Sequence, residues 1–290
     1  MRTKLRPLDE TIAENVKDGD CVFIGGFGHA IPFAAGHELI RQRRKDLTLC
    51  RTGTDILFDQ LIAAGCVKKV IFGYLGNPGI GLAHAFRRAV ERKEIEVEDW
   101  TNFTMLLRLY AAALGIPYIP TRVLRAGDVA VSDKIAEVRC PFTGEPLTAI
   151  PALRPDVALI HAQRADEAGN VQMWGLTGDT VEGAKASGRI VATVEEIVLA
   201  ETVRAEANRT ILPGYRVTAV CAVPWGAHPS YVQDYYGRDD AVYFDHDRIA
   251  RSSDELAKFL GEWVSDVESR EVYAEKLGAE RRARLASEFE

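Results

Sequence analysis

The chain is poor in cysteine and has no paired cysteine motif. Cys21, Cys50, Cys66, Cys140 and Cys221 are odd in number and scattered, and no C-x-x-C occurs. That argues against a disulfide framework and against zinc, iron–sulfur or thiol-redox chemistry, so no metal site is expected. Four of the five adjoin apolar residues, as buried thiols do, which fits a reduced, cytoplasmic setting. No apolar run approaches the roughly 20 residues of a membrane span. The first residues, Met1 to Pro7, lack the apolar core of a signal peptide. Positive charge is also short: 36 Lys and Arg stand against 42 Asp and Glu, a net charge of -6. Without a basic footprint, nucleic-acid binding is not expected. Two nucleotide fingerprints are missing as well. Gly26 and Gly28 would fit the first two glycines of G-x-G-x-x-G, but Ile31 stands at the third, and there is no G-K-[ST].

What is present is a strand–turn–helix beginning. Asp18-Gly19-Asp20 leads into Cys21-Val22-Phe23-Ile24, then Gly25-Gly26-Phe27-Gly28, with a helical pattern from Phe33. A glycine turn after a strand lets backbone approach a ligand closely. The alternation continues. Strands are expected at Cys21–Gly25, Leu47–Arg51, Lys69–Tyr74, Ile95–Val97 and Pro117–Val123. Helices are expected at Phe33–Arg43, Asp55–Ala64, Leu82–Arg92 and Thr101–Leu114. Repeated β–α units with short connections predict an α/β fold with an open, mainly parallel sheet and flanking helices. The chain reads as a single domain with an irregular insertion containing short strands at about 127–151, punctuated by Pro141, Gly144, Pro146 and Pro151. Strands resume at Val157–Ala162, and 166–170 is a hairpin turn to Val171–Trp174. Ile190–Val194 and Arg216–Val223 follow as buried strands. A helical segment runs from about 252 to 290. It opens on a capping box, Ser252 with Glu255, and Leu256, Phe259, Leu260, Trp263, Val264 and Val267 share one face.

In a parallel sheet the loops Gly25–Ile31, Thr52–Thr54, Gly76–Gly79 and Asp99–Asn102 would gather at the carboxyl edge. They offer backbone N–H groups, the Thr52 and Thr54 hydroxyls, the Asn77 and Asn102 amides, and His29. These suit a carbonyl or carboxylate oxygen. Asn102 would stand in the first turn of a helix capped by Asp99, where the dipole favours partial negative charge. No Ser, Cys or Lys has a base beside it in sequence. Each residue also has a plain structural reading. Asn77-Pro78-Gly79 makes a β-turn, Asn102 a cap, and Asp166, Glu167 and Gly169 a hairpin turn. His228 follows a strand but has no identifiable carboxylate partner, and reads as structural.

Together these segments resemble the A (alpha) chain of glutaconate-type, family I coenzyme A transferases over nearly the whole sequence. The resemblance rests on Gly25-Gly26-Phe27, Gly73-Tyr74-Leu75-Gly76-Asn77, Glu98-Asp99-Trp100-Thr101-Asn102 and Ala111-Ala112-Ala113-Leu114-Gly115-Ile116-Pro117. It extends through Ile160-His161-Ala162-Gln163, Val171-Gln172-Met173-Trp174-Gly175 and Gly226-Ala227-His228-Pro229-Ser230. Three departures stand out: Pro32 arrives one residue early, Pro78 replaces a serine, and Asn102 replaces a glutamine. The resemblance implies a coenzyme-A-transferase-like fold and a role as half of an enzyme. Coenzyme A and acyl-CoA would be substrates, with no tightly bound cofactor. The partner would be a B subunit, in an A2B2 tetramer, bringing the nucleophilic glutamate. Glu14-Asn15 and Glu182-Gly183 here do not match the family's catalytic turn. Asn102 would then hold the carbonyl oxygen, and Gly25, Gly26, Phe27, His29, Thr52, Gly53, Gly76 and Asn77 would bind substrate. Arg51, Arg122 and Arg125 are candidates for a distal carboxylate, if the acid is a dicarboxylate or oxo acid. Other readings are a ring-opening hydrolase of CoA thioesters of steroid-catabolism type, a non-catalytic scaffold and a self-sufficient homodimer. The hydrolase relatives use a glutamate near the position of Asn102, and an amide cannot serve as a general base.

Overall fold

The computed structural model describes residues 3–77, 79–124 and 133–289. Arg125, Pro78 and the start of the expected insertion lie outside the described residues.

Four β–α steps build the first half: β1 (Cys21–Ile24), α2 (Phe33–Arg41), β2 (Leu47–Gly53), α3 (Ile56–Ala63), β3 (Val67–Tyr74), α4 (His84–Glu91) and β4 (Glu96–Asp99). A short helix, α1 (Leu8–Asn15), precedes them, and α5 (Asn102–Ala113) follows. The second half contributes β8 (Val157–Ala165), β9 (Val171–Gln172), α6 (Thr180–Ala186), β10 (Arg189–Ile197), α7 (Ala200–Ala205), β11 (Thr210–Leu212) and β12 (Ala219–Ala222). Strands β4, β3, β2, β1, β8, β10 and β12 pair in that order, all parallel, within a nine-stranded sheet. Strand β9 turns back antiparallel on the end of β8, and β11 pairs with β9.

The strand order explains where the helices go. From β1 the chain moves outward through β2 and β3 to β4, and after β8 it moves the other way. Right-handed crossovers then place the two sets of helices on opposite faces. Alternation along each strand matches this. Val22 and Ile24 enter the core beneath α1 to α4, whereas Phe23 enters the core beneath α5 and α6. Burying each such side chain contributes about 1.5–3 kcal/mol.

The C-terminal helices close the first face. They are α8 (Asp240–Ile249), α9 (Ser253–Leu260), α10 (Arg270–Leu277) and α11 (Ala279–Ala286). Ser252 caps α9 by accepting from the Glu255 N–H, as expected. Leu256, Leu260 and Val264 are buried there, and Phe259 stacks on Trp263.

Two expectations need correction. The strand placed at Pro117–Val123 exists as β5 (Tyr118–Thr121), but not in the main sheet. It pairs antiparallel with β7 (Pro146–Pro151), which also pairs with β6 (Ala136–Arg139). The described part of the expected insertion therefore belongs to a small three-stranded sheet. Its strands could not be placed from sequence, because pairing partners lie up to about thirty residues away. Asp99 does not cap α5. It ends β4, and Thr101 is the cap, its hydroxyl accepting from the Thr104 N–H while the Thr104 hydroxyl accepts from the Thr101 N–H.

Candidate functional site

The strand order reverses between β1 and β8. In open α/β sheets the crevice at the carboxyl ends beside such a reversal is where ligands bind. The loop at the end of β1 stands at this point, and the ends of β2, β3 and β4 continue the row. Strand spacing puts the β1 and β4 ends about 14 Å apart, so the row is a groove rather than a point.

Gly26 makes the first turn possible. Its φ is +84°, and a Cβ there would lie 2.5 Å from the Ala30 carbonyl oxygen. The turn leaves the Phe27 ring 42% exposed at the groove. Glycines bracket that ring: a Cβ on Gly53 would come within 2.9 Å of its edge, and one on Gly178 within 2.6 Å of its Cβ. The Arg51 guanidinium lies 5.8 Å from the ring centre. Gly25, Gly26, Phe27, Thr52 and Gly53 are thus brought together.

Their donors are partly spoken for. Asp179 Oδ2 accepts from the Thr52 N–H at 2.9 Å and from the Thr52 hydroxyl at 2.8 Å. The Gly26 N–H donates to the Thr180 hydroxyl at 2.9 Å. His29 is fully buried behind the loop, with Nδ1 2.8 Å from the Leu176 carbonyl and Nε2 3.4 Å from the Gln163 amide nitrogen. Burial lowers its pKa to about 4, against the pull of the Leu176 bond. At neutral pH the imidazole is therefore uncharged and Nδ1–H is the donor, so His29 shapes the loop.

The next two loops differ. Asn77 is buried and its backbone closes a tight turn with Gly81. Neither its amide nitrogen nor its oxygen has a hydrogen-bond partner among the described residues. The Thr54 hydroxyl and Arg51 Nη2 are likewise buried without partners among them. Buried polar atoms left unpaired are rare and call for an explanation, and a ligand or bound water is the usual one. Gly76 packs against the Tyr74 hydroxyl. Asn102 is exposed at the start of α5 and touches Gly73, where a Cβ would meet its Oδ1 at 2.4 Å. From there its amide can meet an oxygen in the field of the helix N-terminus. Glu98 steadies this corner. Burial works against its carboxylate, yet hydrogen bonds from Lys69, Trp100 Nε1 and Arg108 outweigh it and hold the pKa at about 2.

The two candidate arginines within the described residues part ways. Arg51 is buried, its Nε 3.6 Å from Asp179 Oδ1. Arg122 is exposed and engaged bidentately with Glu145 at 2.9 and 2.8 Å. Glu182 sits in the first turn of α6. His228 has the carboxylate partner that sequence does not reveal: Nε2 is 2.9 Å from Asp239 and Nδ1 2.8 Å from the Tyr273 hydroxyl. It is fully buried, and burial lowers its pKa to about 4 despite Asp239. A second buried pin joins His161 to Glu195, which also accepts from Tyr236 and the Trp225 N–H.

Sequence reasoning misses residues 175–180. This stretch, running from beyond β9 into the first residue of α6, supplies the Leu176 carbonyl, Gly178 against Phe27, Asp179 on Thr52 and Thr180 on Gly26. Its one signal is a Gly-x-x-Gly-Asp-Thr run before a helix. A cleft of about 990 Å³, lined by Arg154, Lys185 and Tyr215, opens at the amino edge, away from these loops. Among the described residues, no cluster of three or more His, Cys, Asp or Glu is arranged to hold a metal, and no helix is long and apolar enough to cross a membrane.

The sequence profile of the family described as coenzyme A transferase matches residues 6–222. This chain belongs to that family. It is 42% identical over 265 residues to the A subunit of 3-oxoadipate CoA-transferase from Pseudomonas knackmussii, covering 90% of this chain and 93% of that protein. It is 32% identical over 298 residues to the A subunit of glutaconate CoA-transferase from Acidaminococcus fermentans, covering 96% and 93%. The fold superposes on the crystal structure of glutaconate coenzyme A-transferase from the same organism with a TM-score of 0.93. That match has 32% identity and covers 98% of this chain and 95% of that one. The transferase fold read from the sequence is thereby shown.

Proposed function

We propose that this chain is the A half of a two-subunit coenzyme A transferase that exchanges CoA between an acyl-CoA and a small carboxylic acid, of dicarboxylate or oxo-acid type. One observation carries the reading. Among the described residues, the carboxyl edge has an exposed amide at Asn102 and a buried, unpartnered one at Asn77, but no nucleophile paired with a base. A groove of this kind can hold an acyl oxygen and needs a reactive group from elsewhere. Relatives named as A subunits support a B partner; the A2B2 assembly is carried by the sequence resemblance alone.

The chemistry balances without a bound cofactor, because CoA is itself a substrate. The nucleophile is a glutamate carboxylate of the B subunit. It attacks the acyl-CoA carbonyl, and CoA leaves as thiolate, giving a mixed anhydride. The thiolate attacks the glutamyl carbonyl and releases the first acid as carboxylate. The resulting glutamyl-CoA thioester is attacked by the incoming carboxylate, which forms a second anhydride and frees the thiolate again. The thiolate then attacks the incoming acyl carbonyl, giving the new acyl-CoA and free glutamate. Each addition puts negative charge on a carbonyl oxygen. Asn102, with Asn77, would hold that oxygen, and Gly25, Gly26, Phe27, Gly53 and Gly76 would wall the acid side.

The test is intact mass of the complex after incubation with acyl-CoA and borohydride. Reduction of a glutamyl-CoA thioester to an alcohol replaces one oxygen of the glutamate by two hydrogens. The expected result is that change on the partner alone. The same change on this chain would overturn the assignment and direct attention to Glu182. No change on either chain, with CoA released into water, would replace transfer by hydrolysis.

A further inference from the structure

The groups that order the Gly-Gly-Phe turn and the end of β2 come from one place, residues 175–180. We propose that Asp179, paired with Arg51, is a positioning residue that sets the geometry of the acid side of the groove. This inference rests on the transferase reading.

Asp179 is 127 residues from Thr52 in sequence, yet one of its oxygens accepts both the Thr52 N–H and hydroxyl. Its other oxygen makes no hydrogen bond among the described residues and faces the buried Arg51 Nε at 3.6 Å. The next residue, Thr180, accepts the Gly26 N–H, and the preceding Gly178 packs on Phe27. Two adjacent side chains therefore tie the ends of β1 and β2 to a single segment, on either side of the exposed Phe27 ring. Satisfying Thr52 alone would need only a neutral acceptor. A carboxylate is favoured there because Arg51 is buried beside it, with Asp55 as its other acidic neighbour, and a buried cation short of counter-charge is costly. The guanidinium in turn underlies Phe27. The pair thus fixes backbone and ring together, and a misplacement of about 1 Å in such a wall costs on the order of 100-fold in rate.

A purely structural pair predicts something else. A buried ion pair replaced on both sides by apolar residues of similar volume commonly leaves stability unharmed. The double variant Arg51→Met with Asp179→Leu removes both charges and the Thr52 acceptor together. Thr180→Val removes only the acceptor for Gly26. Both are assayed as complexes with the partner chain, for melting temperature, kcat and KM. The double variant is expected to stay folded but melt several degrees below wild type, because the buried Thr52 N–H and hydroxyl lose their acceptor, with kcat reduced about 100-fold and KM for the acid changed less than about threefold. Thr180→Val moves kcat in the same direction by about tenfold. Folded variants with wild-type kcat overturn the proposal.

Hydrogen exchange separates this failure from failure of the transferase reading. If the wild-type complex transfers no CoA, that reading is lost. The clamp is then judged by the Thr52 and Gly26 amides alone. Faster exchange at Thr52 in the double variant and at Gly26 in Thr180→Val sustains it, and unchanged exchange refutes it.

Discussion

Asn77→Leu should make the chain more stable and the enzyme worse. The Asn77 side chain is 2% exposed, and neither its amide nitrogen nor its oxygen has a partner among the described residues. Its turn is closed by backbone bonds to Ile80 and Gly81, which a leucine leaves intact. An unpaired buried polar group costs about 1–3 kcal/mol, so replacing the amide by an apolar group of similar size should return about 2 kcal/mol. For a chain of this size that is a rise of about 4–6 °C in melting temperature. If the amide meets an acyl oxygen as charge develops, its loss should lower kcat by about 100-fold or more. Thermal unfolding of the purified chain and steady-state transfer by the complex check the two halves. A lower melting temperature would mean that the amide has a structural partner, such as a buried water. Unchanged turnover would remove Asn77 from the site. Stability held back at one residue in favour of function is expected of a ligand-binding position.

Acid should destabilise the fold early. His29 and His228 are held neutral with pKa values of about 4, lowered from 6.5. The unfolded chain therefore binds more protons between those values, so stability falls as pH drops from about 6.5 to 4. Each contributes at most about 3 kcal/mol, read by urea titration across that range. Glu98→Gln should cost about 2 kcal/mol, because it leaves Arg108 and Lys69 without their shared carboxylate, a loss moderated by solvent at the partly exposed Glu98. A loss under about 0.5 kcal/mol in chemical denaturation would show that the corner is held by packing alone. Arg122→Ala should leave stability and turnover unaltered, since its pair with Glu145 is largely solvent-exposed. A marked rise in KM for the acid would restore it as a carboxylate partner.

Local pattern carries much of the architecture. The apolar runs at Val22–Ile24, Leu47–Cys50 and Val70–Phe72 announce parallel strands, because such strands are buried on both faces. Ser252 with Glu255 announces a helix start, because a cap is satisfied within four residues. Gathering of the four loops at one edge follows from parallel pairing and needs no coordinates. The strand at Tyr118–Thr121 is legible as a strand but not as part of a separate sheet, since pairing depends on residues elsewhere in the chain. Asp99 fails as the cap of α5 because β4 runs two residues beyond the extended stretch expected at Ile95–Val97, which leaves the cap to Thr101.

The site divides along the same line. Residue types suited to holding a carbonyl oxygen, and the lack of an adjacent nucleophile and base, are properties of the chain as written. Which of those groups are available is a property of the fold. Thr52 and Gly26 spend their donors on Asp179 and Thr180, and His29 is buried and neutral. Asn77 keeps an unpaired amide among the described residues, and Asn102 faces solvent at a helix start. Those fates depend on contacts across 127 and 154 residues of chain. Sequence spacing sets what a residue can offer, whereas burial and long-range hydrogen bonds decide what it has left to give.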